Sequence, residues 1–150
     1  MHTPTDNYKT VPVLDPESRT DDVNSGYVDT LGYTHAVWEL HLGAHDRTTG
    51  DETIEFTISH ADDTGGTGLA AISGATSGVI GNVVPDATKG NVYQISIALD
   101  EAGRKRFQRC TLDVSGTTPI CLTSVTCRLF NGDKPPVAQA QPGGVTVVKV

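Results

Sequence analysis

Five histidines, three cysteines and the aspartate pair Asp62-Asp63 are the residues whose types and spacing first invite a metal or acid–base reading. His35, His41 and His45 follow one another at spacings of six and four residues, and His60 stands just before Asp62 and Asp63. No HExxH run and no nucleophile elbow accompanies them. Cys121 and Cys127 are six apart with no second ligand pair, so the short ligand spacings of a zinc site are missing. Three thiols cannot all pair within one chain, and Cys110, Cys121 and Cys127 sit in strand-like segments where a free cysteine behaves as a small apolar residue. Asp62-Asp63 before a glycine loop hints at calcium, but the alternate-position ligands and closing glutamate of an EF-hand are absent, and an Asx turn explains the pair without an ion. The glycines of 65–68 are not followed by Lys-Ser or Lys-Thr, so they form no phosphate loop. The histidines are expected on a solvated strand face. The reading is no enzyme, no metal and no cofactor.

Two segments are better suited to holding a partner. Arg104, Lys105, Arg106 and Arg109 place four cations in six residues, enough to receive phosphate or an acidic protein surface; a strand start with its charges in water is the plainer alternative. The patch Val11, Pro12, Val13 and Leu14 suits an extended segment docking on a neighbouring surface. It lies within residues 1–25, which Pro4, Pro12 and Pro16 punctuate and Asp15, Glu17, Asp21 and Asp22 keep polar, and which are expected to form an N-terminal arm.

The elements that must position these groups show a two-residue period. Ala36, Trp38, Leu40 and Leu42 share one face of a strand, as do Ile54, Phe56 and Ile58, then Tyr93, Ile95, Ile97 and Leu99, then Cys110, Leu112 and Val114. Such alternation means a pleated strand with one buried side. A further strand is expected from Cys121 to Phe130, one or two irregular ones within 69–90, and a β-prone tail at 145–150 behind Pro142-Gly143-Gly144. About seven or eight strands with turns every 8–12 residues or so predict a β-sandwich or jelly roll. The expected organisation is an arm at 1–25, a body at 26–134 and a C-terminal tail or strand at 135–150.

Length and charge narrow the class. A chain of 150 residues suits one domain, and 37% hydrophobic with 5% aromatic residues implies a modest aliphatic core. No apolar run approaches the roughly 18 residues of a membrane helix, and the start lacks the basic and apolar regions of a secretory signal. Residues 1–63 carry 13 acidic and three basic groups, and residues 64–150 carry five acidic and eight basic, within a net charge of −7. This asymmetry is expected to reflect a partner's charge or self-association. An acidic total argues against duplex nucleic acid as a direct partner.

Gly26-Tyr27-Val28-Asp29-Thr30-Leu31-Gly32-Tyr33, Ile58-Ser59-His60-Ala61-Asp62-Asp63 and Gly103-Arg104-Lys105-Arg106-Phe107-Gln108-Arg109 occur in that order, followed by Val114-Ser115-Gly116-Thr117-Thr118. Over residues 24–133 this order resembles the head auxiliary proteins of tailed bacteriophages, read as capsid decoration or cement proteins. The chain departs from their pattern in Ser59-His60-Ala61 before the aspartate pair and in the tail after Pro136. The resemblance implies a structural virion protein on the capsid surface, made in the host cytoplasm. Its partner would be the major capsid protein, and it would act as a homo-oligomer, trimer or dimer, with arms clamping the shell. The alternative is a head-fibre or tail-associated module that binds host-surface carbohydrate.

Overall fold

The structure, a computed structural model, describes residues 8–46, 53–80, 91–117, 120–131 and 145–149, with the backbone alone at 44–46, 91 and 145–149. These residues form ten strands: β1 (Tyr8–Arg19), β2 (Val23–Asn24), β3 (Val28–Asp29), β4 (His35–Asp46), β5 (Thr53–Ala61), β6 (Ala70–Ile80), β7 (Asn91–Ala98), β8 (Phe107–Ser115), β9 (Ile120–Phe130) and β10 (Val145–Lys149). They contain no helix, and so none long and apolar enough to cross a membrane. The side chain of His45, the loop at 47–52, Val83-Val84, the hinge at 142–144, residues 1–7 and most of the tail from 135 lie outside the described residues.

The strands make two sheets, ordered β1-β9-β4-β7-β10 and β2-β8-β5-β6, with β3 also pairing β8. Pairing is antiparallel except where β10 runs parallel to β7. With β2 and β3 taken as one broken strand and β10 set aside, the first sheet reads first-eighth-third-sixth and the second reads second-seventh-fourth-fifth. This is the order of an eight-stranded jelly roll, two Greek keys folded face to face. The fold is the all-β sandwich that the two-residue period predicts.

Alternation decides what fills the interior. Trp38, Leu40, Ile95, Ile97, Val125, Cys127 and Leu129 from the first sheet meet Phe56, Ile58, Cys110 and Leu112 from the second, all fully buried. A large apolar side chain buried this way contributes about 1.5–3 kcal/mol. Gln108 also occupies an inward position, and its Oε1 accepts the indole N–H of Trp38 at 3.1 Å across the two sheets, while its Nε2 has no partner. The three free cysteines are buried. Burial pushes the Cys110 thiol up to about 11 and raises that of Cys127 further still, so both remain protonated and unreactive.

Residues 8–19 differ from the expected arm. They lie along β9 as strand β1, from Tyr8 opposite Phe130 to Arg19 opposite Cys121. Val11, Val13 and Leu14 pack against the core. Residues 8–19 therefore belong to the body and not to an arm that ends at residue 25. Pro12 and Pro16 fit because β1 is an edge strand, where a missing N–H interrupts no ladder, and the register slips beside them between Pro12 and Leu14 and between Leu14 and Glu17. The edge of the second sheet is broken differently. In β6 the register against β5 slips twice, and Gly74 and Gly78 take φ of 77° and 65°, values that favour glycine. The hydroxyl of Ser77 then accepts the Phe56 N–H at 2.9 Å.

Trp38→Phe removes the one side-chain hydrogen bond that Gln108 makes among the described residues and leaves its whole amide buried without a partner. It is expected to lower stability by about 2–4 kcal/mol in urea unfolding. Adding Gln108→Leu should recover part of that loss, giving a coupling of about 0.5–3 kcal/mol in the double-mutant cycle.

Candidate functional site

One end of the sandwich is built from three described loops: 30–34 before β4, 62–69 between β5 and β6, and 99–106 between β7 and β8. Most of the cationic run lies here, and Arg104, Lys105 and Arg106 are each paired with a carboxylate. Arg106 donates from Nε and Nη2 to the two oxygens of Asp29 at 2.7 and 2.6 Å, and its guanidinium lies 4.9 Å from the Phe107 ring centre. Lys105 donates from Nζ to Asp62 at 2.8 Å and to the Gly68 carbonyl at 2.5 Å. Arg104 donates from Nε to the Ala98 carbonyl at 3.1 Å and from Nη2 to Glu101 at 2.7 Å. Arg109, on β8, places its guanidinium over the Tyr27 ring at 5.5 Å, while its buried Nε has no hydrogen-bond partner among the described residues. Arg104, Lys105 and Arg106 thus tie loops together and do not form a bare positive patch. Val11, Val13 and Leu14 are likewise turned to the core, and Pro12 alone of that patch is exposed.

Asp63 acts as a loop cap. Its Oδ1 accepts the N–H groups of Gly65 and Thr67 at 2.9 and 3.0 Å, and its Oδ2 accepts the Thr67 hydroxyl at 2.7 Å. These bonds hold its carboxyl below the usual range and use the lone pairs that a calcium ion would need. The hydrogen bonds from Arg106, with a smaller one from Leu31 N–H, hold Asp29 at about 2. Leu31 is 65% exposed and Leu69 42% exposed, so two apolar side chains stand out from this ion-paired platform.

His60, the last inward residue of β5 before the loop, accepts the Lys105 N–H on Nδ1 at 3.2 Å. Burial, then the cations of Arg104 and Lys105, lower its pKa from 6.5 against a smaller opposing pull from Asp62. It lines a pocket of about 330 Å³ with Ser73, Glu101, Ala102, Gly103 and Arg104. His41 is exposed on the outer face of the first sheet, and His35 Nδ1 lies 3.1 Å from the Thr34 hydroxyl. Among the described residues no three His, Cys, Asp or Glu side chains converge to hold a metal ion.

No protein-family model matches this chain, and no curated protein matches it. Among solved structures it is similar to a chain of one titled "Cryo-EM Atomic Structure of Broad Bean Stain Virus (BBSV)", with a TM-score of 0.36 and 9% identity over 88% of this chain and 92% of that one.

A second depression, of about 500 Å³, opens on the outer face of the first sheet and is lined by Tyr8, Thr10, Glu39, His41, Arg128 and Phe130. Tyr8 and Phe130, opposite each other on β1 and β9, stack with ring centres 6.1 Å apart. Glu39 is 3% exposed, and its two oxygens accept from Gln94 Nε2 and from Arg128 Nε, the latter at 2.8 Å. Reading the sequence did not single out this groove. Its one local signal is an acid between Trp38 and Leu40 in an otherwise apolar strand centre, whereas Gln94 and Arg128 arrive from 55 and 89 residues away. Ser73, Leu31 and Leu69 carry no local signal at all.

The unfolded chain binds a proton at His60 near pH 6.5, whereas the folded chain resists it to lower pH. The unfolded state therefore binds more protons in that window, and stability falls as pH drops through 6.5 toward the folded value. His60→Gln keeps an acceptor for Lys105 N–H and removes the titration. Its urea midpoint should fall less between neutral and mildly acidic pH than that of the parent chain.

Proposed function

We propose that this chain is a structural virion protein that decorates and stabilises a capsid by binding the outer surface of the major capsid protein, without catalysis. The observation that carries the reading is the loop end. Leu31 and Leu69 project from a base locked by Asp29–Arg106 and Lys105–Asp62, and such a base presents apolar contacts at little ordering cost. The jelly-roll order supports it by analogy, since that architecture recurs in viral capsid domains as well as in lectins and cupins. The resemblance of residues 24–133 to phage head auxiliary proteins points the same way. Because β1 belongs to the body, shell contact falls to the loops and not to an arm at 8–19. Assembly as a dimer or trimer would multiply weak contacts on a lattice of repeating sites.

Purified capsids lacking the protein supply the test. Leu31→Asp with Leu69→Asp should weaken occupancy at least about tenfold, roughly 1.4 kcal/mol, in co-sedimentation. Both positions are exposed, so the unfolding midpoint should barely move. Undiminished occupancy by the double variant would overturn the role of this end.

The groove at Tyr8 and Phe130 favours a second reading, a binding module for host-surface carbohydrate. An aromatic pair beside Arg128, Glu39 and His41 offers a sugar both a stacking face and polar contacts. A glycan array binding the parent chain but not Tyr8→Ala would support that reading over the first.

A further inference from the structure

The pocket beside His60 is lined by donors that nothing in the fold uses. Because Nδ1 accepts the Lys105 amide, the neutral imidazole must carry its proton on Nε2, which makes no bond to a described residue. Arg104, whose side chain is 9% exposed, spends Nε on Ala98 and Nη2 on Glu101, and its Nη1 has no partner among the described residues. Ser73 lines the same space with a hydroxyl that makes no bond to a described residue. The acid on the rim, Glu101, is already paired with Arg104. A turn sets these groups: Arg104 N–H returns to the Glu101 carbonyl at 3.0 Å, and Gly103 takes a φ of 84° at the position where a type II turn requires it.

We infer that this pocket is a binding site for a single oxyanion, a carboxylate or phosphoryl group, received by Arg104 Nη1, His60 Nε2–H and the Ser73 hydroxyl. The chemistry is that of charge-assisted hydrogen bonds around a preformed cradle, with Arg104 supplying the charge and His60 and Ser73 the direction. The space of about 330 Å³ admits a small anion or the end of an acidic side chain. Burial does most to resist protonation of His60, and the field of Arg104 and Lys105 that adds to it also attracts an anion. The inference is independent of the capsid reading.

Nitrogen-15 spectra of the His60 imidazole provide the test. Inorganic phosphate, and separately acetate, would be titrated into the full chain at neutral pH and constant ionic strength. The Nε2–H resonance should shift saturably, with half-saturation at about 1 mM, the affinity of a few charge-assisted bonds. The His60 pKa should rise by about one unit with the anion bound. Ser73→Ala should weaken binding about three- to tenfold. Ser73→Asp, at an exposed position that leaves the core intact, should fill the cradle, raise the His60 pKa without added anion and abolish the phosphate response. Equal saturation by phosphate and acetate assigns a carboxylate-bearing ligand as readily as a phosphorylated one; saturation by phosphate alone assigns a phosphoryl group. A linear, unsaturable drift, or the same response in the parent and Ser73→Asp, would overturn the inference.

Discussion

The indole of Trp38 and the amide of Gln108 meet between two sheets whose facing side chains are mostly apolar. Apolar contact is non-directional, so a sandwich held by it alone tolerates small slides of one sheet over the other. A hydrogen bond in a dry interior does not, because breaking it leaves buried polar atoms without water. Trp38 stands on β4, the centre of the first sheet, and Gln108 on β8, which pairs β5 on one side and β2 and β3 on the other. The bond therefore aligns the two central strands. Gln108 is also two residues from Arg106 and three from Lys105, so fixing it places the cationic loop beside Asp29 and Asp62. The loop end inherits its geometry from the core.

Sheet edges pose the opposite problem, since each offers unpaired backbone groups to any other chain. Here β1 carries two prolines and two register slips, β2 and β3 are two residues long, and β6 carries bulges at Gly74 and Gly78. The first sheet gains β10 beyond β7, joined in parallel. Such edges keep the sheets themselves from pairing with another chain.

Strands with one buried face were legible in the sequence because burial imposes the period of two, as in Ala36-Trp38-Leu40-Leu42 and Ile54-Phe56-Ile58. β1 was not, because prolines and acids normally argue against a strand, and what permits them is its place at an edge, which only tertiary pairing decides. Glu39 and Gln108 broke the expectation in another way: both are polar side chains at buried positions, made tolerable by partners distant in sequence. The cationic run was visible as composition, yet its function depends on Asp29 and Asp62, which lie 77 and 43 residues away from the cations they meet.

The charge asymmetry between the two halves of the chain resolves in the same terms. Arg106 pairs with Asp29, Lys105 with Asp62 and Arg128 with Glu39, so three cations from residues 64–150 each find an anion from residues 1–63. A jelly roll interleaves its halves, setting β9 between β1 and β4 and β8 between β5 and the short β2 and β3, so opposite charge in the two halves falls naturally across adjacent strands and loops. The exposed pairs contribute little to stability one by one. The Glu39–Arg128 pair differs because Glu39 is buried, and removing Arg128 would leave a carboxylate in the sheet without its counter-charge. Long-range pairing is slow to form because loop closure precedes any gain in contacts. Three of the 13 acidic groups of the first half thus have partners in the second half of the chain itself.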